Sequence, residues 1–496
     1  MSAEQKVQKT KANGITEGSI FGQLLLFFFP ILFGTFFQQL YNTADAVVVG
    51  RFVGKQALAA VGGTTSTLIN LMVGFFVGLS SGATVVISQY YGAKKADKVH
   101  WAVHTSVAFS VIGGVLFMAV GLVGARWALT AMHTPEDVMD HAVTYIRIYF
   151  LGMVPNLLYN MGAGILRAVG DSRRPLYFLI GSCFVNIILD VVLVAVLRMG
   201  VAGAALATIS SQLFSAILVI LCLTRTQDMY KVEWRKIRID SRMLQRIIRI
   251  GIPAGMQSVM YNISNIIIQA GVNNLGTDNV TAWATYGKVD GLYWMMINAL
   301  GISVTTFVGQ NYGARRMDRV RKGAGACMVI GVVLTAIVST ALYFWGYLFI
   351  ELFTSDPQVQ LISQSLIRFM VPTFITYITI EILSGTLRGV GDAWMPLIIT
   401  GVGVCLVRVI WIIFALPHFN TILAAAFCYP MTWALTSAAF AVYTPSDPPS
   451  CAAMAAFTNE RAPSSSPDAE ISHPNLAAEN GKPFQGDLEC ICTTYH

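Results

Sequence analysis

SQYYGAKKADKV at residues 88–99 returns as GQNYGARRMDRV at 309–320. A second pair, LRAVGD at 166–171 and LRGVGD at 387–392, stands at the same separation of 221 residues, and Pro175 and Pro396 follow at that offset too. Two matched motifs at one offset mark an internal duplication. Long apolar runs lie between the motifs of each copy. Hydrophobic residues make up 55% of the 496 and charged residues only 12%, where a soluble domain carries roughly 25% charge. Runs such as 101–132, 174–197 and 326–353 reach the ~20 residues that span a hydrocarbon core. None shows the ~10-residue alternation of a membrane β-barrel.

The expected fold is therefore an all-α polytopic membrane protein. Its expected spans are 20–49, 57–88, 100–127, 138–166, 175–197 and 200–224, then 247–273, 280–309, 324–352, 360–387, 396–416 and 421–443. That gives twelve transmembrane helices. Six spans return the chain to its starting side, so the halves are two parallel six-helix repeats about an axis along the membrane normal. The implied divisions are a cytoplasmic N-terminus (1–19), an N-lobe (20–224), a basic linker (225–246), a C-lobe (247–443) and a disordered cytoplasmic tail (444–496).

The formal charge of +7 does not indicate nucleic acid as a partner, because the bases cluster in loops between apolar runs. Residues 92–98, 167–174, 225–249, 313–322 and 387–392 carry most of the Lys and Arg, while the alternate loops are acidic or neutral. Arg51, Lys55, Arg126 and Arg198 depart from the pattern. The asymmetry places both termini in the cytoplasm and the protein in the cell's inner (plasma) membrane. Lys6, Lys9 and Lys11 precede a long apolar run that contains Gln38, Gln39 and Asp45, which reads as a retained first span rather than a signal peptide. The eight cysteines show no paired spacing, so neither a disulfide framework nor a metal site is expected.

Within the spans, the polar residues stand out. Asn186 and Asp190 in CFVNIILD lie four apart, on one face of a helix. Asp45 in YNTADAVVVG is a second acid in an apolar run. A carboxylate near the bilayer midplane costs at least ~2.5–3.5 kcal/mol, so its default reading is an ion or proton site. The bland alternative is a polar cluster that holds helices together. Adding the repeat offset maps Asn186 onto Val407 and Asp190 onto Trp411, and Asp45 onto the neighbourhood of Ile266–Ile268. The polar set therefore stands in one copy only, which favours a specialised site over a structural bolt.

Two six-span halves, the doubled Q-x-Y-G-A-K/R and L-R-x-V-G-D loops, and an Asp ending a Pro-bearing first span resemble the multidrug and toxic compound extrusion (MATE) family over roughly residues 15–443. The resemblance implies a secondary antiporter that exports organic, often cationic compounds against inward Na⁺ or H⁺ flow. It also implies V-shaped lobes with alternating access, no cofactor beyond the coupling ion, and a monomer in the lipid bilayer. The family's N-lobe ion site maps onto Asp45, Asn186, Asp190 and Thr208. Their hard oxygens suit Na⁺, and two close carboxylates also suit a shared proton. The resemblance further makes Pro30 a candidate bend that accompanies ion binding. Some members use C-lobe acids instead, which draws attention to Glu381.

Lys288, Asp290, Glu381 and Arg408 form a second set of intramembrane charges, readable as a C-lobe coupling or substrate site or as mutual ion pairs. Tyr41, Tyr159, Tyr261, Tyr293, Trp294, Met295 and Met296 are candidates to line a cavity for flat cations or, equally, to pack against lipid and helices. The alternative function is a lipid-linked precursor flippase of a related fold, which would need a strongly basic cavity. An enzyme is not expected, since no compact His, Ser or metal-ligand constellation lies within a span. An ATP-driven pump is not expected either, as no Walker motif is present.

Overall fold

A computed structural model describes residues 15–132 and 134–444. Lys6, Lys9, Lys11, His133 and the tail beyond Thr444 lie outside them. The described chain is helical, with no strand among its residues. Ten helices are long and apolar enough to cross a membrane: α1 (Ile20–Phe52), α2 (Lys55–Gly92), α3 (Ala96–Ala131), α5 (Arg173–Val196), α6 (Gly200–Arg225), α8 (Thr277–Gly313), α9 (Met317–Phe353), α10 (Pro357–Val390), α11 (Trp394–Phe419) and α12 (Ile422–Tyr443). Two further helical units complete the twelve. The fourth, α4, is Glu136–Leu151 and Met153–Ala168, broken at Gly152, so neither piece alone spans. The seventh, α7, is Ser241–Asn273, whose bases and amides lower its apolarity because much of it faces the other half. It starts before the expected 247: Asp240 accepts from the Met243 N–H at 2.9 Å and so caps an earlier turn.

Helices are the form in which a bilayer tolerates a backbone, since every N–H and C=O is satisfied within the segment. At 1.5 Å per residue the 33 residues of α1 run about 50 Å, well beyond the ~30 Å core. Such helices therefore extend past the membrane or tilt.

The duplication is written into the backbone. Lys94 (φ 55°) and Arg315 (φ 58°) take the left-handed conformation at equivalent places, and so do Gly170 (φ 94°) and Gly391 (φ 101°). In each L-R-x-V-G-D motif the glycine ends one helix and the aspartate starts the next. Asp171 accepts from the Arg174 N–H at 3.1 Å, and Asp392 from the Met395 N–H at 3.2 Å. Gly in the left-handed region and Asp as a cap are what such a turn requires.

The two copies of Q-x-Y-G meet each other. Gln89 Nε2 donates to the Gly389 carbonyl at 2.9 Å, and its counterpart Gln310 Nε2 donates to the Ala168 carbonyl at 2.6 Å. Since Ala168 and Gly389 are themselves 221 apart, this is one contact made twice, as a two-fold relation demands. A β-carbon on Gly92 would lie 2.7 Å from the Gln310 carbonyl carbon, and one on Gly313 2.6 Å from that of Gln89. Both glycines are therefore obligatory for the approach.

A second contact between halves, α2 on α7, has a repeat counterpart in α1 on α8 but is lined by glycines on the α2–α7 side. Gly78 and Gly82 of α2 press against Gly255 and Gly251 of α7, with added β-carbons 2.5 Å from the Gly255 Cα and 2.6 Å from the Gly251 nitrogen. This is small-residue packing, in which two helix backbones come together without side chains between them. Gly78→Val is expected to lose about 1–3 kcal/mol through overpacking, read as a lower melting temperature of the purified protein. Gly113→Ala is the control: nothing lies within 4 Å of its added methyl, and stability should hold or rise.

α1 divides its packing. Its first turns (Leu24, Phe27, Phe28, Ile31) belong to the core built mainly by α8 to α12. Its last turns, which carry Asp45, pack beside α5 and α6 of its own half. The start of α1 is tied to the second repeat loop, where Arg319 donates to the carbonyls of Gly18 at 3.0 Å and Ile15 at 3.3 Å. Pro30 sits between these two attachments, and α1 runs through it as one helix.

Candidate functional site

The N-half polar residues come together at the ends of α1 and α5 and the start of α6, away from the repeated loops. Asp45 is 4% exposed, Asn186 and Asp190 0%, and Thr208 4%. Thr208 Oγ1 donates to Asp45 Oδ2 at 3.1 Å, with the Ala204 carbonyl at 3.0 Å as its alternative acceptor. The Asp45 carboxyl also faces Asp190 and Asn186. Sequence position explains the grouping: Asn186 and Asp190 share one face of α5, and α5 packs along both α1 and α6.

The hydrogen bonding is incomplete. Asp45 Oδ1, both side-chain polar atoms of Asn186 and both carboxyl oxygens of Asp190 are buried without a partner among the described residues. A buried unpaired polar atom costs about 1–3 kcal/mol, and more when charged. Two carboxyls, an amide and a hydroxyl from three helices thus face one another in a buried cluster with polar capacity to spare.

The backbone breaks its pattern at the same point. Asp190 ends the regular α-helix of α5, and Val191–Val196 continue as π-helix. π-helical turns are rare and concentrate at functional positions. A π segment recurs at Trp411–Ala415, the position that the repeat offset pairs with 190–194. The irregular backbone was thus duplicated, while the carboxylate occurs in one copy.

Sequence reasoning missed the aromatic wall of this site. Tyr145 and Tyr149 of α4 are buried, their rings stacked with centroids 6.4 Å apart. Tyr145 interacts with Asp45, Thr208 and Asp190, and Tyr149 accepts from Asn156 Nδ2 at 3.3 Å. The available signal was their spacing of four in YIRIYF, which puts both on one helix face. Tyr41 joins them next to Asp45.

The second set of charges divides into a Glu381–Arg388 pair and a neighbourhood that brings Asp290 and Arg408 together. Glu381 Oε1 pairs with Arg388 Nη2 at 3.3 Å, and Tyr377 donates to Glu381 Oε2 at 3.4 Å, all on α10. Asp290 Oδ2 accepts from Trp294 Nε1 at 2.6 Å on α8. Arg408, 2% exposed, donates to Thr432 Oγ1 at 3.1 Å, and its guanidinium lies 4.0 Å over the Tyr429 ring and 5.9 Å from that of Trp433. The aromatic face that could take a cation is thus occupied by the chain's own arginine. Lys288 is exposed and has no ion pair among the described residues. Tyr293 is core: it is fully buried, stacked on Phe374 at 4.1 Å, and donates to the Phe374 carbonyl at 2.8 Å.

Comparison with known proteins agrees with this architecture. The family described as MatE matches residues 30–192 and again 253–414, once in each half. The probable multidrug resistance protein YoeA of Bacillus subtilis is 27% identical over 427 residues, covering 84% of this chain and 92% of its own. The probable multidrug resistance protein YpnP of the same organism is 26% identical over 390 residues, covering 78% and 87%. Among solved structures, a MOP superfamily transporter from Pyrococcus furiosus superposes with a TM-score of 0.81 at 21% identity, over 87% of this chain and 97% of that one. Two six-helix halves, each matched by the family, identify this chain as a multi-pass membrane protein of the MatE family of multidrug efflux transporters.

Proposed function

We propose that the protein is a secondary antiporter that exports small organic, cationic compounds in exchange for Na⁺ or H⁺ by alternating access. The observation that carries the coupling site is the set of unpaired, buried polar atoms on Asp45, Asn186 and Asp190, present in one half of a duplicated frame. An entering cation meets two carboxyls, an amide and the Thr208 hydroxyl, and it relieves the cost of keeping those atoms dry. A proton serves the same pair, because two carboxylates at close range in low dielectric cannot both stay charged cheaply.

The transmission element is α1. One end is fixed to the C-half core and to Arg319, and the other bears Asp45. Pro30 between them supplies no N–H to the helix ladder, so the helix bends there at low cost when Asp45 shifts toward or away from Asp190. The basic, repeated loops lie on the cytoplasmic side by the positive-inside rule. The paired Gln89 and Gln310 contacts are then the closed cytoplasmic gate. Glu381 and Asp290, each paired on its own helix, hold the C-half together and do not couple.

The test is dye transport in inside-out vesicles with Na⁺ and pH gradients imposed separately. One gradient should drive accumulation; dependence on neither removes the antiporter reading. Glu381→Gln should retain gradient-driven transport, because its partner Arg388 sits at the helix end and reaches water. Loss of coupling in that variant would move the site to the other half.

A further inference from the structure

The segment between the halves, residues 226–240, is a structured element fixed to α3. Its Val232 N–H donates to the Leu223 carbonyl at 2.9 Å. The Glu233 N–H donates to His104 Nε2 at 2.9 Å, and the Asp240 N–H to Thr105 Oγ1 at 3.1 Å. His104 is fully buried, and its Nδ1 lies 2.7 Å from the His100 carbonyl. That contact fixes the ring with its proton on Nδ1 and leaves Nε2 to accept from the linker. Tyr230 and Val232 turn inward. Trp234, 65% exposed, and Ile239, 39% exposed, do not.

Two recesses flank this segment. One, of about 710 Å³, lies between the start of α3 (Asp97, His100, Trp101) and the linker residues Lys231, Arg235 and Lys236. The other, of about 300 Å³, is wholly apolar and is bounded by Val107, Val111 and Ile112 of α3, Leu158, Ile220 and Trp234. The residues that line the two alternate along the chain: Glu233, Arg235, Lys236 and Arg238 face the first, Trp234 and Ile237 the second. The linker, fixed at His104 and Thr105, thus lies between a polar recess at the start of α3 and an apolar furrow further down it, with Trp234 at the crossing.

Charge decides which amphiphile fits. The polar recess carries four bases, Lys231, Arg235, Lys236 and Arg238, against three acids, Glu233, Asp228 and Asp97. Glu233 pairs with Lys236 at 2.9 Å, and that hydrogen bond holds its carboxyl below the usual range. Asp228 Oδ2 accepts from Thr226 Oγ1 at 3.3 Å. Asp97 sits in the first turn of α3, where the helix dipole stabilises it. Arg238 is stacked 4.1 Å over Trp101. Lys231 and Arg235 make no ion pair among the described residues. Two unpaired cations beside an exposed Trp and an apolar furrow, at the end of a membrane-spanning helix, match one class of ligand.

We propose that this site holds one anionic glycerophospholipid, its phosphodiester between Lys231 and Arg235 and an acyl chain along the furrow over Ile112 and Leu158. The lipid would pack the linker to the first half without touching the Asp45–Asp190 site.

The test is native mass spectrometry of the full-length, delipidated protein titrated with phosphatidylglycerol or phosphatidylcholine. Wild type should retain one phosphatidylglycerol at a concentration on the order of tenfold below that for phosphatidylcholine. Lys231→Gln/Arg235→Gln should weaken phosphatidylglycerol retention by about 10- to 30-fold, the change expected from two interfacial cations, and leave phosphatidylcholine unchanged. Ile112→Trp, which fills the furrow from an exposed position, should weaken both lipids alike. Glycerol 3-phosphate, which carries the phosphate without the chains, should not compete. Equal retention of the two lipids by wild type would overturn the proposal, and so would full competition by glycerol 3-phosphate. Because both of those readouts use wild type, the test stands even if a variant fails to fold.

Discussion

Asp190→Asn is expected to reduce gradient-driven efflux to the level of vesicles without the protein, at unchanged expression. The substitution conserves volume and removes both the charge and the exchangeable proton. Asp190 is fully buried beside Asp45. The Asn side chain keeps its volume and can donate to Asp45, so stability should hold. That split, activity lost and melting temperature kept, separates a coupling group from a structural one. Asp45→Asn should behave in the same way. Thr208→Ala should weaken the apparent ion affinity about tenfold to a hundredfold, the effect of deleting one hydrogen bond to a charged group. Efflux by Asp190→Asn at the wild-type rate would end the assignment.

Gln89→Ala/Gln310→Ala is expected to open the side of the protein that carries the repeated loops. Each amide donates one hydrogen bond to a carbonyl of the opposite half. At about 0.5–1.5 kcal/mol for each bond, losing both shifts the open-to-closed ratio by roughly 5- to 150-fold. The reporter is Ser88→Cys in a background without the native cysteines. Ser88 is fully buried and faces Gly309, its own counterpart in the repeat. A membrane-impermeant maleimide should label it faster in the double variant by the same factor. Because the contact is made twice, each single variant should give about half the effect on a logarithmic scale. If labelling does not change in the double variant, the pair is not a gate.

The repeat explains why so much of the fold could be read from the chain. SQYYGAKKADKV and GQNYGARRMDRV gave the number of halves and their parallel sense, and apolar length gave the spans. What stayed hidden was geometry that no periodicity encodes. Gln89 and Gln310 were in plain view inside the motif, yet it reads as a turn until the reciprocal bonds to Gly389 and Ala168 are seen. The break of α4 at Gly152 reflects close approach to α6, where an added β-carbon would lie 2.5 Å from the Ile209 side chain. The π-helix after Asp190 leaves no compositional trace in VVLVAV.

The site divides in the same manner. Asp45 and Asp190 stood out because a carboxylate in lipid is expensive wherever it stands, Asn186 because it lies one turn before Asp190, and Thr208 only through the family resemblance. Their convergence is a tertiary fact, as is the wall of Tyr145 and Tyr149. The C-half charges show the opposite case. Glu381, Asp290 and Arg408 carry the same expense, but each has found a local partner: Arg388, Trp294, and Thr432 with Tyr429. Expense alone flags a residue. What sets the N-half cluster apart is that two carboxyls share one site without a base, whereas Glu381 has Arg388 and Asp290 has Arg408 nearby.

The central claim is that Asp45 and Asp190 change their protonation or ion occupancy during the transport cycle. Difference infrared spectroscopy of the purified protein in proteoliposomes reads this directly, by stepping Na⁺ at constant pH and then pH without Na⁺. Wild type should lose a protonated-carboxyl band in at least one of the two steps, and that band should be missing in Asp190→Asn and retained in Glu381→Gln. A wild-type spectrum unchanged in both steps, or a band that persists in Asp190→Asn, would contradict the account.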